Sequence, residues 1–270
     1  MLFLCPKCKR ELRPDATRAV CPDGHSYDRC RAGYYNLLLS NKSSTHGDNK
    51  AMVLARRAFL SMGYYEPLAR AVAEVICSNT AISPTVLDAG AGEGYYTDVI
   101  ERALYERDGD SRVSAFDISK DAVREIGKKN SRISLSVAGS YNMPVADGSV
   151  DVLVNTFSPL AHEETLRVIR DGGLFVMAIP AEEHLFELKA AIYDTPYKNE
   201  VADTELSGFE LIECRDIKYT MELRDNECIS ALFGMTPYAY RTSAENRARV
   251  YALDSLSCTA HFKLLVYRKS

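Results

Sequence analysis

Tryptophan is absent from this 270-residue chain, and no apolar run approaches the length that a membrane-spanning helix requires. The apolar stretch at residues 2–4 is too short to be the core of a secretory signal, and Cys5 follows it at once. Hydrophobic residues make up 46% of the chain and charged residues 26%, which is ordinary for a soluble globular protein. We therefore expect a cytoplasmic protein that does not enter a membrane and has one large or two unequal domains.

Acidic residues are scarce near the N-terminus. Residues 1–57 contain 11 Lys and Arg but 5 Asp and Glu, a net charge of +6, whereas the remainder has 22 against 32, a net charge of −10. A basic head on an acidic body indicates a polyanionic partner such as nucleic acid. A small basic domain with an ordinary solvated surface explains the same charges, so charge alone leaves both interpretations open.

Cysteine is not scarce, but only the first three of the eight cysteines have the spacing of metal ligands. Cys5-x2-Cys8 is followed, after about a dozen residues, by Cys21-x3-His25. This number and type of ligand suits tetrahedral Zn²⁺, and a closed set of four indicates a structural site. A redox Cys-x2-Cys pair would leave the second pair unexplained, and Cys30 competes with His25 for the fourth position.

The chain divides by composition into a head, a linker and a larger body. We predict a zinc-binding domain over residues 1–38, a polar linker over 39–50 and the larger domain over 51–270. The first helix of the larger domain carries Arg56 and Arg57 off its apolar face. These two arginines either form a solvated surface or contact phosphate near an active site.

Predicted strands and helices alternate from residue 85 onward, which indicates a parallel sheet covered on both faces. We expect strands at 85–87, 112–116, 133–137, 150–154 and 173–179, with helices around 96–105, 120–128 and 162–169. Two late alternating runs, 211–220 and 260–268, predict an antiparallel pair at one edge. The predicted fold is α/β and Rossmann-like, with a mostly parallel seven-stranded sheet and an antiparallel edge.

A glycine turn follows the first strand of this alternation. Gly90, Gly92 and Gly94 occupy alternate positions after Asp88. Glycine permits positive φ and lets a ligand lie against the backbone, and the helix N-terminus beyond it offers N–H donors. Dinucleotide-binding turns usually read G-x-G-x-x-G, but Tyr95 stands where their last glycine would fall. The order Asp-x-Gly-x-Gly-x-Gly instead resembles the first motif of class I S-adenosylmethionine (SAM)-dependent methyltransferases.

Three further landmarks follow the turn in the order expected for that class. Asp117 ends the second strand, where a carboxylate can bind both ribose hydroxyls. Residues 144–151 and 167–173 resemble the turns before the fourth and fifth strands. Together the landmarks predict the class I methyltransferase fold, with SAM as the methyl donor. An NAD-binding domain or a non-enzymatic copy of the fold is the alternative.

The whole chain resembles the RlmA-type 23S rRNA (guanine-N1)-methyltransferases, in which a zinc-binding domain precedes a class I SAM domain. The matching motifs are Cys5-x2-Cys8, Cys21-x3-His25, Gly33-Tyr34-x-Asn36-Leu37, Ala55-Arg56-Arg57-x-Phe59-Leu60, Gly63-x-Tyr65, Gly92-Glu93-Gly94-Tyr95-Tyr96, His184-Leu185 and Met235-Thr236-Pro237. The resemblance implies methylation of guanine N1 in a 23S rRNA hairpin, a zinc domain that helps to grip the RNA, and a homodimer.

The resemblance also implies particular site residues. The zinc ligands fall on Cys5, Cys8, Cys21 and His25, and the SAM contacts fall on Tyr65, Gly92, Glu93 and His184, beside Gly90 and Asp117 from the arguments above. Tyr65 is alternatively an aromatic side chain that packs two helices together, and His184 a surface residue. Ala91 stands where many relatives have cysteine. Residues 139–140, Gly-Ser, lack the acidic side chain that often binds the adenine amine.

The segment 155–159, Asn-Thr-Phe-Ser-Pro, follows the fourth strand and is expected to form the floor of the acceptor pocket. Phe157 is available there to stack on a base, which must be unpaired or flipped to enter. The segment has no carboxylate and no N-P-P-Y-type signature, which is consistent with a ring-nitrogen target, and the general base stays unidentified. Other hypotheses are a small-molecule methyltransferase and a zinc-dependent RNA-binding protein with an inactive SAM domain.

Overall fold

The computed structural model describes residues 1–39, 49–201 and 203–270. A large mixed sheet flanked by helices carries most of the chain, and a small three-stranded antiparallel sheet lies in the N-terminal head. The predicted linker, 39–50, falls mostly outside the described residues. In the described ranges, the helices are all too short or too polar to cross a bilayer.

The strands are β1 (Arg13–Pro14), β2 (Arg18–Val20), β3 (Ser26–Asp28), β4 (Tyr34–Asn36), β5 (Thr85–Ala89), β6 (Arg112–Asp117), β7 (Ser134–Val137), β8 (Val150–Thr156), β9 (Ile169–Pro180), β10 (Phe209–Leu223) and β11 (Leu256–Lys269). The α-helices are α1 (Lys50–Ser61), α2 (Glu66–Asn79), α3 (Tyr95–Asp108), α4 (Lys120–Lys129), α5 (His162–Val168), α6 (Phe186–Ile192), α7 (Asn226–Gly234), α8 (Tyr238–Arg241) and α9 (Ala244–Tyr251). The five central strands and three intervening helices predicted from the sequence all form, with shifted ends.

The large sheet has the strand order β10-β11-β9-β8-β5-β6-β7-β4. Pairing is parallel from β4 to β9, and β11 runs antiparallel between β9 and β10, which confirms the predicted fold class and its antiparallel edge. The sheet has eight strands rather than the predicted seven, because β4 from the head pairs with β7. The strand order reverses between β5 and β8, and such a switch point opens a ligand crevice at the carboxyl ends of the strands.

The helices beside this crevice form for reasons visible in the sequence. Asn49 caps α1, its side chain accepting a hydrogen bond from the Met52 amide at 3.0 Å. Pro67 occupies the first turn of α2, where its missing N–H costs nothing. The apolar face of α2 is fully buried at Leu68 and Val72. Burial of each such side chain contributes about 1.5–3 kcal/mol, so α2 is anchored firmly against the sheet.

The head packs directly on the body. The Leu4 amide donates to the Pro144 carbonyl at 2.7 Å, and Phe3 forms a bridge with Val145. Phe3 is completely buried in an apolar cluster that also contains Phe116 of β6. The head therefore shares a core with the large sheet, and the predicted domain boundary at residue 38 stays a prediction.

Candidate functional site

A cavity of about 670 Å³ lies at the carboxyl ends of β5, β6 and β8. Its volume is within the range of about 300–1,000 Å³ that small-molecule sites occupy. All six residues predicted to bind the cofactor line it, namely Tyr65, Gly90, Gly92, Glu93, Asp117 and His184. The structure thus brings together side chains that are up to 119 positions apart in the sequence.

The glycine turn has the backbone conformation that its sequence predicts. Gly90, Gly92 and Gly94 have φ values of +81°, +58° and +83°, a region that side-chain-bearing residues rarely adopt. A Cβ on Gly90 would lie 2.2 Å from the Ser158 Oγ, and one on Gly94 would lie 2.7 Å from the Ile126 side chain. The turn therefore packs closely against the predicted acceptor segment on one side and against α4 on the other.

Asp117 joins the turn to the end of β6. Its carboxylate accepts hydrogen bonds from the Gly92 amide at 3.0 Å and from the Ser119 amide at 2.7 Å. These bonds fix the carboxylate beside the glycine turn. Its position at the strand end and in the cavity wall suits binding of a ribose diol.

Asp88 lies beneath the turn and is fully buried. Thr97 Oγ1 donates to its Oδ2 at 2.5 Å, while its Oδ1 has no hydrogen-bond partner in the part of the chain that the structure describes. Burial raises the pKa of Asp88 to about 7, and the charges of Asp117 and Glu93 act in the same direction. The pKa of this carboxyl in the apoprotein therefore lies well above that of an exposed aspartate.

Tyr65 and His184 form a hydrogen-bonded pair in the cavity wall. The His184 Nδ1 accepts from the His261 amide at 3.3 Å, so in the neutral ring Nε2 carries the proton. Nε2–H donates a hydrogen bond to the Tyr65 hydroxyl, 3.2 Å away, so the hydroxyl proton of Tyr65 points to the cavity and is available to a ligand. Burial lowers the pKa of His184 to about 3, so the ring stays neutral near pH 7. The pair presents one oriented O–H donor.

The predicted acceptor segment lies opposite the turn. Thr156, Phe157, Ser158 and Pro159 all line the cavity. Phe157 has φ +58°, which is uncommon for a bulky residue, and its side chain is 42% exposed. The Asn155 side chain accepts from the Ser158 amide at 3.2 Å and holds the bend. The strained bend leaves an aromatic ring at the cavity surface, where a flat base could stack on it.

The two arginines of α1 have different environments. Arg56 lines the cavity, its guanidinium 3.8 Å from the position of a Cβ on Gly92. Arg57 forms an ion pair with Glu125 of α4 instead and is not among the lining residues. Of these two arginines, therefore, only Arg56 is positioned to contact a phosphate near the active site.

The four predicted zinc ligands form a cluster in the head. The ligand atoms of Cys5, Cys8, Cys21 and His25 all lie within 4.8 Å of one another. His25 Nδ1 is 3.5 Å from the Cys5 Sγ and 3.3 Å from the Cys21 Sγ, and the Cys8 and Cys21 sulfurs are 3.5 Å apart. Tetrahedral zinc with the usual bond lengths separates its ligand atoms by about 3.5–3.8 Å, so the set fits the ion. Cys30 is exposed and lies outside this cluster.

Sequence reasoning missed several residues of the cavity wall, including two polar ones. Asn199 lies on the irregular segment after α6, and Tyr238 begins α8. Asn199 belongs to no periodic pattern or motif, whereas Tyr238 directly follows the motif at 235–237, which was the available signal for it. Residues 139–140 are not among the residues that line this cavity.

Two family models match the two parts of the chain in the expected order. The model of the family described as "RlmA, N-terminal" matches residues 3–45, and a methyltransferase-domain model matches residues 86–173. A protein of Micromonospora griseorubida, named as a candidate 23S rRNA (guanine-N1)-methyltransferase, is 33% identical over 98% of this chain and 96% of its own. The 23S rRNA (guanine(748)-N(1))-methyltransferase of Streptomyces fradiae is 29% identical, covering 91% and 88% of the two chains. The solved YcgJ protein of Bacillus subtilis is 15% identical, with a TM-score of 0.48, over 74% of this chain and 98% of its own.

Proposed function

Because the chain belongs to the family of 23S rRNA (guanine-N1)-methyltransferases that carry an RlmA-type zinc ribbon, we propose that it methylates N1 of a guanine in a 23S rRNA hairpin. SAM is the methyl donor, and zinc is a structural ion of the head. The observation that carries the proposal is the pairing of a donor cavity and a zinc cluster in a chain that matches such a relative over 98% of its length.

The donor cavity fits SAM. At Gly90 the φ of +81° and the neighbouring Ser158 leave no room for a side chain, so this part of the cavity wall is backbone alone. Asp117 would hold the ribose hydroxyls, and the free O–H of Tyr65 would donate to an acceptor of the amino-acid part, such as its carboxylate. When bound, SAM supplies an electrophilic methyl group on a sulfonium.

The chain's own residues must orient the guanine and release its N1 proton. Transfer would form the bond between N1 and the methyl carbon as the carbon–sulfur bond breaks, leaving S-adenosylhomocysteine, and would release the N1 proton to solvent. Phe157 would stack on the guanine and hold N1 in line with the methyl group, with the reacting atoms about 3 Å apart. The neutral His184 holds the hydroxyl of Tyr65 in place.

The basic head would hold the RNA beside the cavity. Residues 1–38 contain 7 Lys and Arg against 4 Asp and Glu, a net charge of +3, and the head is fixed to the body by the contacts of Phe3 and Leu4. A basic surface attached rigidly to the body that holds the cavity would bind phosphates of the hairpin and raise the local concentration of the guanine.

Methyl transfer from SAM labelled in its methyl group tests this function. We expect label to enter unmodified 23S rRNA as 1-methylguanosine, with unmodified 16S rRNA as the matched RNA control. Label in a small-molecule extract but not in 23S rRNA, from protein that binds S-adenosylhomocysteine (SAH), would contradict the proposal.

A further inference from the structure

Lys189 of α6 is the most unusual buried charge in the described chain. Its side chain is completely buried, and in the ranges that the structure covers it forms no ion pair. Burial also lowers the pKa of Lys189, because its ammonium group loses its hydration inside the protein. Burying an ammonium without a counter-ion lowers stability, whereas an apolar side chain of the same length would fill the space without that loss. The polar contacts of Lys189 are therefore the feature to explain.

The hydrogen bonds of Lys189 are both made to the short segment after α6. The Lys189 Nζ donates to the Asn199 Oδ1 at 2.6 Å and to the Tyr197 carbonyl at 3.1 Å. It also lies 4.5 Å from the centre of the Tyr197 ring and 5.9 Å from that of Tyr238, distances at which a cation is attracted to an aromatic face. Neutral acceptors and ring faces thus replace the water that the ammonium has lost.

Asn199 connects this lysine to the loop that carries His184. Its Nδ2 donates to the Ala181 carbonyl at 2.9 Å and to the His184 carbonyl at 3.1 Å, and its amide donates to the Glu182 carbonyl at 2.8 Å. Three bonds from one residue therefore fix the backbone of the loop 181–184. Asn199, Tyr238 and His184 all line the donor cavity.

We propose that Lys189 is a positioning residue for the methyl donor, holding Asn199 so that Asn199 holds the His184 loop against the cavity. The inference rests on the proposed function only in taking the cavity as the SAM site. Lys189 itself does not line the cavity, so it acts through Asn199 rather than by touching the donor. Without the lysine, the Asn199 amide is held only through its Nδ2, the loop loosens, and the His184–Tyr65 pair loses its orientation.

Calorimetric binding of SAH to the full-length protein tests this role. We expect Lys189→Met and Asn199→Ala each to weaken SAH binding about tenfold, the effect of losing one well-made buried polar contact. Because the two residues act in series, the double variant should be no weaker than either single variant. The KM for SAM should rise in step, while the KM for rRNA should stay unchanged.

Lys198→Met is the matched control. Lys198 lies on the same segment but is exposed, and its partner Glu183, which belongs to the loop, keeps a second surface ion pair with Lys218. Its loss should change SAH affinity by about twofold or less. Equal SAH affinity of Lys189→Met and the unmodified protein, or additive effects in the double variant, would overturn the inference and leave the proposed function standing.

A second substitution at Asn199 keeps the inference testable if Lys189→Met or Asn199→Ala fails to fold. Asn199→Asp keeps an acceptor for the Lys189 ammonium but loses the two donors to the loop. We expect it to fold, by circular dichroism, and to bind SAH as weakly as Asn199→Ala. Unchanged SAH affinity in Asn199→Asp would refute the connection from Lys189 through Asn199. Absence of SAH binding by the unmodified protein would overturn the donor cavity and this inference together.

Discussion

A single methyl group at Gly90 decides whether the turn and the acceptor segment can meet. In Gly90→Ala the new Cβ would lie 2.2 Å from the Ser158 Oγ, at a φ of +81° that alanine rarely adopts. We expect SAH affinity to fall by at least about tenfold, since both the strain and the collision displace the turn. Calorimetry measures it, with Gly139→Ala as control, because nothing lies within 4 Å of a Cβ there. Equal losses in both variants would contradict this account.

The Tyr65 hydroxyl is a donor whose direction His184 sets. Tyr65→Phe removes that O–H and leaves the ring packing intact, so we expect SAH to bind about tenfold more weakly with little change in the unfolding temperature. Tyr64→Phe is the matched control. The Tyr64 hydroxyl donates to the Glu222 carbonyl and does not line the cavity. If Tyr65→Phe binds SAH as the unmodified protein does, the hydroxyl has no part in binding the donor.

Asp88 makes the stability of the apoprotein depend on pH. Its folded-state pKa of about 7 lies above the ordinary value near 4, so between these two values the folded form binds a proton that the unfolded chain has lost. The free energy of unfolding therefore falls as pH rises from about 4 to 7, by at most a few kcal/mol. Asp88→Asn should remove this part of the slope. Circular dichroism at pH 5 and pH 8 measures it, and parallel slopes in the two proteins would contradict the assignment.

At the scale of elements, the zinc cluster is the core of the head. Cys8→Ser should release the metal and unfold β1–β3, because so small a sheet has little apolar area of its own. We expect zinc content to fall from one ion per chain to nearly none, measured by mass spectrometry, with SAH binding largely retained. Cys30→Ser should keep its zinc, since Cys30 is exposed and outside the cluster. A full complement of zinc in Cys8→Ser would refute the ligand assignment.

The elements that could be predicted from sequence are those with a local cause. The glycine turn needs positive φ at fixed positions, and the ligand pairs Cys5-x2-Cys8 and Cys21-x3-His25 need tight turns, so both leave a pattern in a few consecutive residues. The antiparallel edge followed from the alternation within β10 and β11. These local features were sufficient to predict the fold class and the cofactor-binding residues, and all six of those residues line one cavity in the structure.

The elements that escaped prediction depend on distant contacts. Strand β4 is three residues long, and only its pairing with β7, about a hundred residues later, makes it the eighth strand. No pattern in the sequence distinguishes Lys189, because its partners on the segment after α6 belong to no helix or strand. Long-range pairing and irregular segments leave no period in the sequence, and both required the structure.

At the scale of the whole molecule, head and body act as one unit. Phe3 and Leu12 of the head are buried in the same cluster as Leu87 and Phe116 beneath the donor cavity. A rigid basic head places phosphate-binding charge at a fixed distance from the methyl donor, which suits a folded RNA better than a small metabolite. The homodimer implied by the family resemblance stays a prediction, and sedimentation of the purified protein tests it.

Mapping of 1-methylguanosine in 23S rRNA, from cells with and without this gene, tests the central claim most directly. A methyl group on N1 blocks the Watson–Crick edge of guanine, so reverse transcription stops at the modified nucleotide, and mass spectrometry of the digested fragment identifies it. We predict one stop, in a hairpin of 23S rRNA, that disappears with the gene and returns when the gene is restored. Identical stops in both cells, or loss of a methyl group from another atom or another RNA, would contradict the account.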